Sequence, residues 1–171
     1  MADNKIVFHR LTSDFYKEHT HLVETIKDEG RGYGVLLVTV LGYKFAIPLR
    51  SKMDLNHPAN FTTKIHSPDG KNVRHGLDYT KALIITEDRF VLSEKDYKLR
   101  DKSDYLKIVE LEHKIIIDFE KFVQKYIKAV KKQDKHILRQ YRFSTMKNYH
   151  VELGCNLPIN PSNDIQEMKV F

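Results

Sequence analysis

The clearest pattern of apolar and polar positions lies in residues 33–49. Val35, Leu36, Leu37 and Val38 are apolar in succession, which predicts a central strand covered on both faces. After Gly42, apolar Tyr43, Phe45 and Ile47 alternate with the residues between them. The spacing predicts a hairpin of strands 33–41 and 43–49 turning at Gly42. Pro48 has no backbone N–H and is expected to end regular pairing there. Shorter strands are expected over residues 5–8, 61–65, 81–86 and 89–92. Ser67, Pro68, Asp69 and Gly70 form a tight-turn signal.

Helical patterns occupy the rest. Thr12 or Ser13 is a suitable N-cap for a helix running to about Glu29 and ended by Gly30. The glycines at 30, 32 and 34 make a turn, not a P-loop, because no Gly-Lys-Ser/Thr follows and the segment feeds a strand. Ser103 and Asp104 are expected to cap a long helix reaching about Lys132. Its apolar positions are Leu106, Val109, Ile116, Phe119, Val123 and Ile127. A shorter helix is expected over 134–141. Ser144 is expected to cap a last one, with Lys147 as its third partner, ending at Gly154. Residues 155–171 contain Pro158 and Pro161 and read as a loosely held tail. The pattern predicts an α+β fold with a single domain over 1–154 and a tail over 155–171.

The length, 171 residues, suits one domain with a sizeable core. No apolar run is long enough to span a bilayer, and the basic-then-apolar pattern of a signal peptide is missing at the N-terminus. The single cysteine, Cys155, excludes an internal disulfide. These features point to a cytoplasmic protein with no membrane partner. The formal charge of +6 is moderate, and its distribution says more. Residues 121–142 hold eight Lys/Arg against one acid after Lys121, Asp134. Such a run is commonly a solvated helix face. Here Tyr126, Tyr141 and Phe143 are interleaved with it, aromatics of the kind that stack on unpaired bases. Phe119, Phe122 and Tyr126 also have the spacing of core residues.

Arg50, Ser51, Lys52 and His57 fall within eight residues at the expected strand end. A guanidinium, a hydroxyl, an ammonium and an imidazole suffice for metal-free phosphodiester cleavage. The cations hold the phosphate and its transition-state charge, and the imidazole moves protons near neutral pH. No His, Cys or carboxylate cluster has metal-ligand spacing, so no metal and no cofactor is expected. Taken singly, each residue has a plainer reading: a loop histidine before Pro58, a turn-capping serine, solvated lysines and a strand-end salt bridge.

Four pieces, in order, resemble the toxin of type III toxin–antitoxin systems, the ToxN/AbiQ/TenpN group, with the TenpN branch closest. They are Phe45-Ala-Ile-Pro-Leu-Arg50; His57 with Lys64 downstream; Gly76-Leu-Asp-Tyr-Thr-Lys-Ala82; and Phe143-Ser-Thr-Met-Lys-Asn-Tyr-His-Val-Glu-Leu-Gly154. Together they span roughly residues 5–154. The resemblance implies a compact, twisted antiparallel sheet with a long helix and shorter helices, related to the Kid/MazF toxin fold. It implies an endoribonuclease that leaves 2′,3′-cyclic phosphate and 5′-hydroxyl ends on cellular or phage RNA. It also implies inhibition by a small structured RNA antitoxin that the toxin cuts and retains in a closed protein–RNA assembly.

On this reading the catalytic candidates are His57 as general acid or base, Ser51 at the phosphate, and Arg50, Lys52 or Lys64 as the cation. Where the family carries a lysine after the hydroxyl, this chain has Met53, and Lys52 stands one place out of register. The RNA-binding candidates are Asp78, Lys81, Lys128, Lys131, Lys132, Lys135, Arg142, Ser144, Lys147 and His150. Asp78 is suited to orient a cation or a histidine. Ser144, Lys147 and His150 lie around an expected helix N-terminus, which suits phosphate. The alternatives are a non-catalytic RNA-binding module of the same fold, or another phosphodiesterase using the same groups.

Overall fold

The computed structural model describes residues 8–26, 34–54, 61–66, 73–92 and 102–155. For Lys52, Asp54, Lys64, Ile65, His66, Val73, Arg74 and Lys102 it describes the backbone alone. The strands are β1 (Phe8–His9), β2 (Val35–Val40), β3 (Tyr43–Asp54), β4 (Thr62–His66), β5 (Val73–Asp78) and β6 (Leu83–Ile84). The helices are α1 (Ser13–Glu18), α2 (Lys102–Lys132) and α3 (Lys135–Gln140). The described strands form one antiparallel sheet in the order β1-β2-β3-β5-β4, with β6 also on β3. The fold class is α+β, as the sequence pattern predicts.

β2 and β3 make the expected hairpin. Its two turn residues, Leu41 and Gly42, both have positive φ, 52° and 80°, the conformation that matches the twist of paired strands. β2 lies between β1 and β3. Its apolar residues enter two cores, Leu36, Val38 and Val40 on one face and Val35 and Leu37 on the other.

Pro48 does not end β3, which runs to Asp54. The reason is the direction of its nitrogen. Leu49 donates its N–H to Gly34 across the β2 edge at 2.9 Å, so the alternation of an antiparallel strand turns Pro48 to the opposite edge. On that edge β5 and β6 are interrupted. Leu77 pairs with Leu49 and Leu83 with Ala46, so the β5–β6 side carries three extra residues. The missing donor faces the gap.

α2 covers one face of the sheet with Ile108, Ile115, Phe119, Phe122, Tyr126 and Val130. Edge-to-face rings knit this layer, with Phe45 and Phe119 at 5.0 Å and Phe61 and Phe122 at 4.9 Å between centroids. The stripe is rotated from the expected one: Leu106 and Val109 are 55% and 39% exposed. The aromatics at 119, 122 and 126 set the phase and carry Ile108 and Ile115 inward. A smaller core of Leu11, Phe15, Val35, Ala46, Leu83, Ile85 and Phe90 lies on the other face.

Several other boundaries differ. α1 has the expected cap, Thr12, but ends at Glu18: His19 leaves helical geometry at φ −117° and ψ 31°. Its N–H and Nδ1–H both donate to the Phe15 carbonyl, at 3.1 and 2.7 Å, closing the last turn. Ser103 and Asp104 lie inside the first turn of α2 rather than before it. α3 starts after Asp134, whose carboxylate accepts the Ile137 N–H. The strand expected over 81–86 shrinks to β6, and that over 89–92 becomes a 3-10 turn (Asp88–Phe90) followed by a single bridge between Val91 and Leu11. Ser144 caps a 3-10 turn (Thr145–Asn148) rather than a helix. Cys155 packs in the main core. The expected turn at 67–70 and tail residues 156–171 lie outside the described residues.

Candidate functional site

The interruption between β5 and β6 begins at Asp78. Its side chain is fully buried and caps a 3-10 turn (Tyr79–Lys81). The Thr80 N–H and hydroxyl donate to Oδ1 at 3.0 and 2.6 Å, and Arg50 Nη1 donates to Oδ2 at 2.6 Å. Both carboxylate oxygens therefore have partners. Arg50 remains 36% exposed, so a buried anion fixes a guanidinium that still faces solvent. Such a fork suits the oxygens of a phosphate.

The next residues extend the cluster. Lys81 Nζ donates to the Phe143 carbonyl at 2.7 Å and lies 3.6 Å from Glu24. Burial pushes the Lys81 ammonium below its ordinary pKa, while Glu24 and Asp78 draw it up and Arg50 pushes it down. Lys147 Nζ donates to the Arg142 carbonyl at 2.6 Å and lies 3.9 Å from the other Glu24 oxygen. The Thr145 hydroxyl donates to the Thr80 carbonyl at 3.2 Å and also to that of Ala82. It pins the Thr145–Asn148 turn onto the Asp78 turn. Arg50, Asp78, Lys81 and Lys147, separate in sequence, thus form one connected group.

Register adds the other candidates. Lys64 and Arg50 both pair with Gly76, one from each side of β5. A Cβ on Gly76 would stand 1.7 Å from the Thr63 carbonyl oxygen, so β4 crosses too closely for any other residue. β3 carries a bulge between Arg50 and Met53, and Ser51 is exposed within it. β4 carries another between Lys64 and His66. His75, half-buried on β5, stands opposite both irregularities and in register with His66. Bulges of this kind re-aim side chains beside sites. His75 carries no signal in the sequence beyond standing next to the matched Gly76–Ala82 piece. Glu24 falls inside the helix that the sequence predicts to run to about Glu29, which hides it. His57 lies outside the described residues, and Lys52 and Lys64 are described by backbone register only.

The chain matches no protein-family profile, no curated protein and no solved structure.

The remaining candidates do not converge on Arg50. Lys128, Lys131 and Lys132 rim a shallow groove of about 380 Å³ with Leu41, Gln124 and Ile127. Leu41 marks the hairpin end of β3, and Arg50 stands roughly 23 Å further along the strand at its usual rise per residue. Lys135 is exposed on α3. Ser144 is fully buried, and its hydroxyl accepts the Met146 N–H at 3.2 Å, so it offers no surface to a phosphate. His150 is half-buried with Nε2 2.7 Å from the Tyr126 hydroxyl, and burial lowers its pKa. Burial disfavours its charged form, which makes it a weak source of positive charge for a phosphate. Tyr126 and Tyr141 are core residues, whereas Phe143 is 60% exposed beneath the Arg142 guanidinium, 4.8 Å from the ring centroid. Among the described residues no group of three His, Cys, Asp or Glu is placed to hold a metal, and no helix is long and apolar enough to cross a membrane.

Proposed function

We propose that this chain is an endoribonuclease that cleaves RNA through the substrate's own 2′-hydroxyl, and that it is the toxin of a type III toxin–antitoxin system. The observation that carries this reading is the Arg50–Asp78 pair, a solvent-facing guanidinium locked at a sheet interruption by a buried carboxylate. Arg50 holds two oxygens of the scissile phosphate and meets the charge that develops there. Ser51, exposed in the bulge beside it, donates a hydrogen bond to the same group. His57 moves the proton of the 2′-hydroxyl or of the 5′ leaving oxygen, and Lys52 or Lys64 supplies a second cation. The products are a 2′,3′-cyclic phosphate and a 5′-hydroxyl, and the nucleophile comes from the RNA.

The resemblance supports the remainder of the proposal: a Kid/MazF-like arrangement of the sheet, a cytoplasmic setting, and a small structured RNA antitoxin held in a closed assembly. The exposed lysines of α2, remote from Arg50, and Lys135 on α3 fit contacts to the antitoxin backbone. They also favour the second reading, a non-catalytic RNA-binding module. A DNA oligonucleotide containing one ribonucleotide separates the two. The proposal expects a single cut, on the 3′ side of that ribonucleotide. Binding without a cut favours the module.

A further inference from the structure

We propose that the turn bearing Phe143 is a subsite for one unpaired nucleotide, in which the base stacks on the Phe143 ring and a phosphate replaces the Glu24 carboxylate between Lys81 and Lys147. This deepens the ribonuclease reading and rests on it.

Phe143 is 60% exposed, yet its backbone is held on both sides. Tyr141 before it is buried and donates its hydroxyl to the Phe122 carbonyl at 2.7 Å. Ser144 after it is buried and donates its N–H to Tyr141 at 2.8 Å. The carbonyls of Phe143 and Arg142 are each taken by a lysine. An exposed ring on a fixed backbone is a low-entropy stacking surface, and aromatic faces accept any base. The Arg142 guanidinium against the ring adds a cation where a nucleotide brings negative charge.

The same two lysines supply the phosphate position. Their ammonium groups flank Glu24 at 3.6 and 3.9 Å, longer than the hydrogen bonds each makes to a carbonyl. Glu24 itself has φ 62°, a left-handed backbone that non-glycine residues adopt at a cost. It is kept there by Asn148, whose amide accepts the Val23 N–H at 2.9 Å and donates to the Val23 carbonyl at 2.8 Å. The carboxylate is therefore an internal counter-anion on a braced segment. A phosphodiester brings the same single charge and two acceptor oxygens, but it can approach both ammonium groups to hydrogen-bond distance where the braced carboxylate stands at 3.6 and 3.9 Å. It therefore displaces the carboxylate with the Asn148 brace intact.

The test measures binding of random-sequence 2′-O-methyl RNA, which cannot be cut through its 2′-oxygen, and of an abasic strand of equal length. Phe143→Leu keeps apolar bulk but removes the ring. It should bind the base-bearing strand roughly five- to a hundredfold more weakly, with the abasic strand unaffected. Glu24→Gln, which removes the competing carboxylate, should bind both strands several-fold more tightly at low salt, and Lys147→Gln should flatten the salt slope by about 0.7 for one lost phosphate contact. Equal affinity of Phe143→Leu and wild type for the base-bearing strand, or an equal loss on the abasic strand, overturns the stacking role. An unchanged slope in Lys147→Gln, or unchanged affinity in Glu24→Gln, overturns the phosphate role. If wild type binds neither strand, the ribonuclease reading itself fails, a result distinct from either.

Discussion

Arg50 and Asp78 meet at 2.6 Å across the break between β5 and β6, with the carboxylate wholly buried and the guanidinium 36% exposed. The asymmetry assigns the roles. Asp78 is structural, satisfied by Thr80 and Arg50 together, and Arg50 is the group presented outward. Asp78→Ala should therefore lose stability by about 1–3 kcal/mol, because it orphans the Thr80 donors as well as the guanidinium. It should also lower cleavage by letting Arg50 wander. A double-mutant cycle of Arg50→Ala and Asp78→Ala, read by urea unfolding, should show coupling of at least about 0.5 kcal/mol. Additive effects would mean that the pair does not act as a unit.

At Gly76, β4 and β5 come too close for a side chain. Gly76→Ala drives a methyl into the Thr63 carbonyl, so β4 must move away from β5. The expected cost is about 1–3 kcal/mol or more, seen as a lower urea midpoint. The same shift separates Lys64 from Arg50 in register, so activity should fall further than the lost stability accounts for. A variant with an unchanged midpoint would show that β4 can slide without cost.

Two histidines compete for proton transfer. His57 follows from the family resemblance, and His75 from the strand register beside Arg50 and the Ser51 bulge. Removal of a general acid or base costs roughly 10²–10⁴ in rate. The account expects His57→Ala to show that loss and His75→Ala a smaller one, in purified, folded protein cleaving a short RNA. The reverse ranking would move the proton-transfer role to β5.

His150 gives a pH dependence of known sign. Burial holds its folded pKa below the ordinary value of 6.5. Its contribution to stability is thus fully present above about pH 6.5 and is lost as pH falls through 6.5 toward the folded value, because the unfolded chain takes up the proton more readily. His150→Gln should flatten the fall in urea midpoint between about pH 7 and pH 5. A midpoint that declines equally in both proteins would place the acid sensitivity elsewhere.

The lysines of α2 form a separate electrostatic surface. Replacement of Lys128, Lys131 and Lys132 by Gln should reduce the salt slope of binding to the proposed RNA antitoxin by roughly 2, at about 0.7 per lost contact with single-stranded RNA. Antitoxin retention should fall more than cleavage of a short oligonucleotide, because the groove lies roughly 23 Å along the sheet from Arg50. An unchanged slope would make this stretch a solvated helix face.

The sequence shows most plainly what is local. The Gly42 hairpin, the extent of α2 and the place of α3 follow from periodicity and turn residues within each segment. The α2 cap and the first turns of its apolar stripe do not fall where Ser103, Leu106 and Val109 suggest. Pro48 misleads because its effect depends on which edge its nitrogen faces, and that is set by the gap between β5 and β6. β5 is hidden because Arg74, His75 and Gly76 break the alternation, and the glycine answers to the backbone of β4. Arg50 and Asp78 each stand out in the sequence, but they are 28 residues apart and their pairing exists only once the strands are in register. Glu24 is invisible in the sequence, since its position between two lysines depends on the early end of α1 and on the Asn148 brace.

The most direct test of the central claim is end-group analysis of RNA incubated with purified protein in EDTA. The account predicts fragments with 2′,3′-cyclic phosphate and 5′-hydroxyl ends, lost in Arg50→Ala and Ser51→Ala. Fragments with 3′-hydroxyl ends, or cleavage that appears only when magnesium is restored, would contradict it.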